Sequence, residues 1–134
     1  MVSVTPCLMF DGNASEAIAL YLEAFPAAML VDRSDYSATD DAMSGKVRSA
    51  TLSIAGNRLR IIDSPVPHGF SFTPAVSLYV ELSDEATIFH AFETLATRGT
   101  VLLPLDTYPH SPTYGWLTDR FGVSWQLSQP DLLS

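Results

Sequence analysis

Residues 115–126, Gly-Trp-Leu-Thr-Asp-Arg-Phe-Gly-Val-Ser-Trp-Gln, constrain this chain more than any other stretch. They read as a strand, a tight turn at Arg120–Gly122 and a second strand, and they hold both tryptophans. Side chains alternate across a strand, so Val123, Trp125 and Leu127 share one face, opposite Ser124, Gln126 and Ser128. One face is wholly apolar and the other mixed. The apolar face belongs under a helix, and the mixed face belongs beside something wetter, such as a cleft.

The rest of the chain repeats that logic twice. Val4–Phe10 is a short apolar run that predicts a strand. Asp11-Gly12-Asn13 breaks it, and Asn13 with Glu16 predicts a capping box at a helix start. Ala14, Ala17, Ile18, Tyr21, Ala24 and Phe25 make one apolar helical face, which Pro26 ends. Ala28–Ser34, Lys46–Ala55 and Arg58–Asp63 are predicted strands. Ser34–Gly45 is a polar loop, and Gly56-Asn57 is a two-residue hairpin turn. After Ser64–Thr73, rich in proline and glycine, the order returns. Pro74–Leu82 is a strand with Val76, Leu78, Val80 and Leu82 on one face. Ala75, Ser77, Tyr79 and Glu81 lie on the other. Ser83 is the expected cap of a second helix, with Asp84 and Glu85 favourable to its dipole. Ile88, Phe89, Phe92, Leu95 and Ala96 form its apolar face, and Gly99 stops it. Thr100–Asp106 is a strand, followed by a loop at His110–Pro112 and by the closing hairpin, Tyr114–Thr118 and Val123–Ser128.

Composition narrows the functional classes. The 134 residues are 47% hydrophobic and 16% charged, enough for one domain with a real core. No apolar run reaches the roughly 18–20 residues that span a bilayer. Met1-Val-Ser-Val-Thr has neither a basic segment nor an apolar one, which predicts no secretion signal and a cytoplasmic location. The formal net charge is −8, and the seven basic residues are scattered. Nucleic acid binding needs a positive footprint, so that class is set aside, as is a membrane partner. Cys7, the single cysteine, excludes an internal disulfide and is expected to be buried and inert.

Two halves of strand, helix and further strands, closed by this hairpin, resemble the vicinal oxygen chelate superfamily of glyoxalase I, bleomycin resistance proteins and extradiol dioxygenases. The chain is more closely similar to the PhnB-like branch, labelled 3-demethylubiquinone-9 3-methyltransferase-like. Thr5-Pro-Cys-Leu-Met-Phe-Asp-Gly12, Tyr21-Leu-Glu-Ala-Phe25, Thr73-Pro-Ala-Val-Ser-Leu-Tyr-Val-Glu81 and residues 115–126 carry the likeness. It implies an α+β fold of two βαβββ modules, about 1–66 and 67–134 in one domain, with mixed or antiparallel half-barrel sheets. It also implies a homodimer.

The superfamily's metal enzymes hold four ligands on inward strand faces. Carried over by position, these fall near Thr5 or Pro6, near Arg60 or Ile62, at Ala75 and at Gln126. Only Gln126 can coordinate, and a neutral amide is a weak ligand alone, whereas a divalent site wants about three or four good donors. The branch also carries histidines where this chain has Ser49 and Pro112. His90 reads as a surface helix residue, and His68 and His110 lie in proline-rich loops. No metal and no cofactor are expected. The methyltransferase label finds no glycine-rich loop after a strand of a parallel doubly wound sheet.

The candidate ligand-binding residues are Arg60, Asp63, Tyr79, Glu81, Tyr114, Trp116 and Gln126. Arg48 and Arg60, on one hairpin, can hold an anion if both face inward. Asp63 and Glu81 end strands as possible bases or as solvated ends. Trp125 packs under a helix, while Trp116 either packs or floors the cleft with Tyr79 and Tyr114. The expected role is metal-free binding of a small, partly apolar molecule. The alternative is a glyoxalase-like enzyme acting on a small metabolite.

Overall fold

A computed structural model describes residues 1–39 and 41–130 of the chain. They form two compact units, Met1–Gly69 and Phe70–Ser134, of which residues 131–134 lie outside the described set. Each unit is a four-stranded mixed sheet with one helix, so the fold is α+β with the βαβββ order twice over. No helix among the described residues is long and apolar enough to cross a membrane.

The first unit runs β1 (Cys7–Phe10), α1 (Ala14–Ala24), β2 (Ala28–Asp35), a 3₁₀ turn at Asp41–Met43, β3 (Val47–Ile54) and β4 (Asn57–Asp63). Sheet order is β1-β4-β3-β2, with β1 parallel to β4 and the other pairs antiparallel. The first strand starts at Cys7, later than the apolar run suggests. Pro6 has no N–H to give the ladder, although its carbonyl accepts from Arg60 N at 2.9 Å. Every residue of the predicted α1 face is buried, and Leu20 joins it. The helix packs on β2, β3 and β4.

The predicted cap of α1 fails. Asn13 occupies the cap position but makes no side-chain cap bond. Asp63, from the far end of β4, takes over. Its Oδ1 accepts from Gly12 N and Ala14 N, both at 3.0 Å, and its Oδ2 accepts from Val47 N at 2.9 Å. The β3–β4 turn is also displaced by one residue. Ile54 pairs with Asn57, so the two-residue loop is Ala55-Gly56, with φ of 50° and 87°. Two positive φ values give the twist that a tight hairpin wants.

The second unit runs β5 (Ser77–Glu81), α2 (Glu85–Ala96), β6 (Thr100–Tyr108), β7 (Ser111–Thr118) and β8 (Ser124–Ser128). Its sheet order, β5-β8-β7-β6, again has one parallel pair, β5 with β8. The cap of α2 is Asp84, not Ser83. Its Oδ2 accepts from Thr87 N at 3.2 Å and from Thr87 Oγ1 at 2.6 Å. Ile88, Ala91, Phe92 and Leu95 are buried, whereas Phe89 is half exposed and drops out of the predicted face. Gly99 follows the helix for a reason other than φ: a Cβ there would collide with the Thr118 carbonyl. Arg98 holds the left-handed turn, with φ 60°.

α2 packs on β6, β7 and β8. Trp125 is fully buried, as the alternation predicts, and its Nε1 donates to Asp119 Oδ2 at 3.0 Å. Burying an indole of roughly 200 Å² at about 25 cal/mol per Å² contributes on the order of 5 kcal/mol before entropy is counted. Asp119 Oδ1 also accepts from Phe121 N at 2.9 Å and Val123 N at 3.1 Å. One buried carboxylate thereby shapes the β7–β8 turn and anchors its largest side chain. Gly115 lies where α2 presses on the sheet, and a Cβ there would sit 2.5 Å from Phe92 Cε2.

Candidate functional site

In each unit the sheet face opposite the helix collects the polar side chains. In the second unit, Tyr79 pairs with Gln126, and Gln126 pairs with Trp116. Three sequence candidates therefore stand side by side across β5, β8 and β7. One step along, Ser77 pairs with Ser124; in the other direction, Glu81 pairs with Ser128, and Ser128 with Tyr114.

Hydrogen bonds tie this face together. The Tyr114 hydroxyl donates to Gln126 Oε1 at 2.6 Å. Trp116 Nε1 donates to Ser124 Oγ at 2.8 Å, and the Ser124 and Ser77 hydroxyls lie 2.6 Å apart. With its oxygen engaged by Tyr114, Gln126 keeps its amide NH2 as a donor with no partner among the described residues. Tyr79 is 52% exposed and Trp116 half-buried, so both offer ring surface.

Sequence reasoning missed two members. The rings of Tyr108 and Tyr114 meet edge to face with centroids 5.4 Å apart, and His110 meets Tyr114 the same way at 4.6 Å. The missing signal was hairpin register. Tyr108 pairs with Ser111, which extends β6 by two residues and leaves Pro109-His110 as the turn. Burial pushes the Tyr114 phenol above its ordinary range, with the nearby Tyr79 and Tyr108 phenols adding to the shift. At neutral pH Tyr114 is therefore a neutral, buried donor.

Two other candidates sit in the first unit. Asp63 is a structural clamp: the residue is 1% exposed and its carboxylate holds three backbone N–H groups, which commits it to the backbone rather than to a ligand. Arg60 is exposed, and its Nη2 donates to Ser49 Oγ at 2.7 Å. Glu81, in the second unit, is exposed at the end of β5. Cys7 corrects the expectation of burial. It is an exposed free thiol, because it faces away from α1 and pairs with Arg60 at the sheet's β1 edge.

The metal-ligand positions of the superfamily do not form a donor set here. Thr5, Pro6, Arg60, Ile62 and Ala75 bring no carboxylate or imidazole, and Gln126 spends its oxygen on Tyr114. Among the described residues no group of three or more His, Cys, Asp or Glu gathers to hold an ion. The residues present do not fit a divalent metal.

Paired βαβββ units of this kind define the vicinal oxygen chelate fold. The fosfomycin resistance protein FosX from Listeria monocytogenes shares it, with a TM-score of 0.70 at 12% identity over 99% of this chain and 98% of that one. Within that class the chain matches the family described as 3-demethylubiquinone-9 3-methyltransferase over residues 2–128, and it belongs to that PhnB-like family. The structure of a PhnB protein from Bacillus cereus is 42% identical, with a TM-score of 0.89 over 96% of this chain and 99% of that one. Protein YjdN of Escherichia coli K12 is 25% identical over 138 residues, covering 93% of each chain.

Proposed function

We propose that this PhnB-like protein binds a small, partly apolar molecule against the helix-free face of β5, β8 and β7, without a divalent metal. One observation carries the reading: the Tyr114–Gln126 pair sits between exposed ring surface on Tyr79 and Trp116 and presents an unpaired amide donor. A flat or aliphatic group stacks on the rings, and a carbonyl or ether oxygen accepts from Gln126. Glu81 lies at the rim, where it selects against anions approaching that side.

The alternative is a glyoxalase-like enzyme in which the Tyr114 phenol, held neutral, protonates a developing oxyanion. S-adenosylmethionine methyl transfer is not proposed despite the family's description. Both sheets are mixed, each with a single parallel pair, and offer no doubly wound parallel crevice for that cofactor.

We further propose a cytoplasmic homodimer with the whole chain acting as one domain. The support is a set of apolar side chains left exposed on edge strands: Met29 and Val31 on β2, and Val101, Leu102 and Leu103 on β6. A monomer by light scattering at micromolar concentration would sink this.

The binding reading is tested by a thermal-shift screen of small metabolites with and without added divalent ions. A ligand of this face raises Tm without metal and changes the emission of Trp116 in a Trp125→Phe background. Hits that stabilise Trp116→Phe and Gln126→Leu as well as the parent protein would place binding elsewhere. Turnover of a hit that is lost in Tyr114→Phe with binding retained would favour the enzyme.

A further inference from the structure

The helix-free face of the first unit has a different chemistry, and it comes from a register shift. By simple alternation Arg48 should point toward α1, since Ser49 points away from it. The ladder pairs Ser34 with Ser49 but Asp35 with Val47, so Arg48 is the extra residue of a bulge. A bulge re-aims a side chain. Arg48 Nη2 donates to Ser34 Oγ at 2.7 Å, and Arg60 Nη2 donates to Ser49 Oγ at 2.7 Å. Ser34 and Ser49 are direct cross-strand partners, so both guanidinium groups are drawn to adjacent hydroxyls.

The charge of this patch is unbalanced. The chain carries 15 acidic residues against seven basic ones, yet Arg48, Arg58 and Arg60 make no ion pair among the described residues. Arg58 is exposed two residues from Arg60, on the same face of β4, and pairs with Ser53. The one carboxylate in the hairpin itself, Asp63, is buried and committed to backbone N–H groups. Asp32 shares the face, two strands from Arg60 with Thr51 between them, and forms no salt bridge there. Arginines in an acidic protein that bond to neutral hydroxyls retain several N–H donors each and an uncompensated charge.

We infer that Arg48 and Arg60, with the Ser34 and Ser49 hydroxyls, form an oxyanion site on the first unit, suited to a small ligand bearing a phosphate or carboxylate group. The guanidinium forks bind such groups bidentately, and the hydroxyls supply further donors by rotation. The net charge of −8 rejects extended polyanions such as nucleic acid, which leaves small anions. This site does not depend on the reading of the second unit.

The test is calorimetric titration of the full-length protein with inorganic phosphate and, separately, with acetate, at matched ionic strength in chloride. Saturable binding at millimolar concentration is expected, with about a tenfold or greater loss in Arg48→Gln and in Arg60→Gln. The anion that binds more tightly identifies the ligand group. Arg98→Gln, which removes a charge from the other unit, should leave binding unchanged. No saturable binding of either anion, or an equal loss in Arg98→Gln, would overturn the site. All substituted arginines are exposed, so their variants are expected to fold.

Discussion

The two units share one order of elements but secure their helices by opposite means. Helix α1 is capped from 49 residues away, by Asp63 Oδ1, while Oδ2 of the same carboxylate fastens the start of β3. Helix α2 is capped within its own first turn, by Asp84. The second unit spends its buried carboxylate, Asp119, on the β7–β8 turn and Trp125 instead. The faces opposite the helices differ as much: arginines over serine hydroxyls in one, tyrosine, tryptophan and glutamine in the other. A shared topology therefore fixes where polar faces lie and leaves their chemistry free.

The sharpest way to break this contrast is to remove the caps. Asp63→Ala removes the partner of three backbone N–H donors, those of Ala14 and Val47 in buried bonds, and should cost about 3–5 kcal/mol in urea denaturation. Asp84→Ala should cost clearly less, because water can reach its N–H groups. Equal losses would mean that Asp63 is no more than an ordinary cap. If Asp63→Ala does not fold, Asp63→Asn, which keeps one acceptor, should still be destabilised more than Asp84→Asn.

The tryptophans give the next largest effect. Trp125→Phe shrinks a fully buried side chain and removes its hydrogen bond to Asp119 Oδ2, for roughly 2–3 kcal/mol. Trp116→Phe should cost about 1 kcal/mol or less, since only one half-exposed bond is lost. The reverse order would exchange the roles of the two faces.

Gly115→Ala tests the α2 contact. The added methyl meets the Phe92 ring and the end of Leu105, and overpacking there should cost about 1–3 kcal/mol. Pairing it with Phe92→Leu should recover part of that loss. No loss in the single variant would show that the helix rides more loosely on the sheet than the geometry implies.

The smallest effect is a pH dependence in the second unit. A phenol raised in the folded state favours folding while it is protonated. Its contribution is complete below the ordinary tyrosine value of about 10 and is lost as pH rises through the raised value. The parent protein should thus lose stability more steeply above that range than Tyr114→Phe, measured by thermal unfolding across alkaline pH. Asp84 behaves with the opposite sign. Its bonds to Thr87 hold its carboxyl below the usual range, so its contribution persists above the ordinary carboxylate value and fades as pH falls through the lowered one.

Much of the fold was legible along the chain. The helical faces at Ala17, Ile18 and Tyr21 and at Ile88, Phe92 and Leu95 follow from spacing, and Trp125 follows from alternation. Boundaries slipped where one atom decides: the missing N–H of Pro6, or the choice of Asp84 over Ser83 as cap. Within the candidate site, Tyr79, Trp116 and Gln126 could be grouped by face, but their adjacency needed the strand order β5-β8-β7.

Local periodicity and turn residues thus determined the repeated order of strands and helices and the apolar face of each, because those signals act between residues a few positions apart, and the resemblance carried by residues 115–126 added the α+β class. Only the tertiary structure decided that Asp63 serves as a clamp, that Gln126 is engaged by Tyr114, and that a bulge turns Arg48 toward Ser34. Each depends on cross-strand register, and a shift of one residue there reverses the face on which a side chain stands.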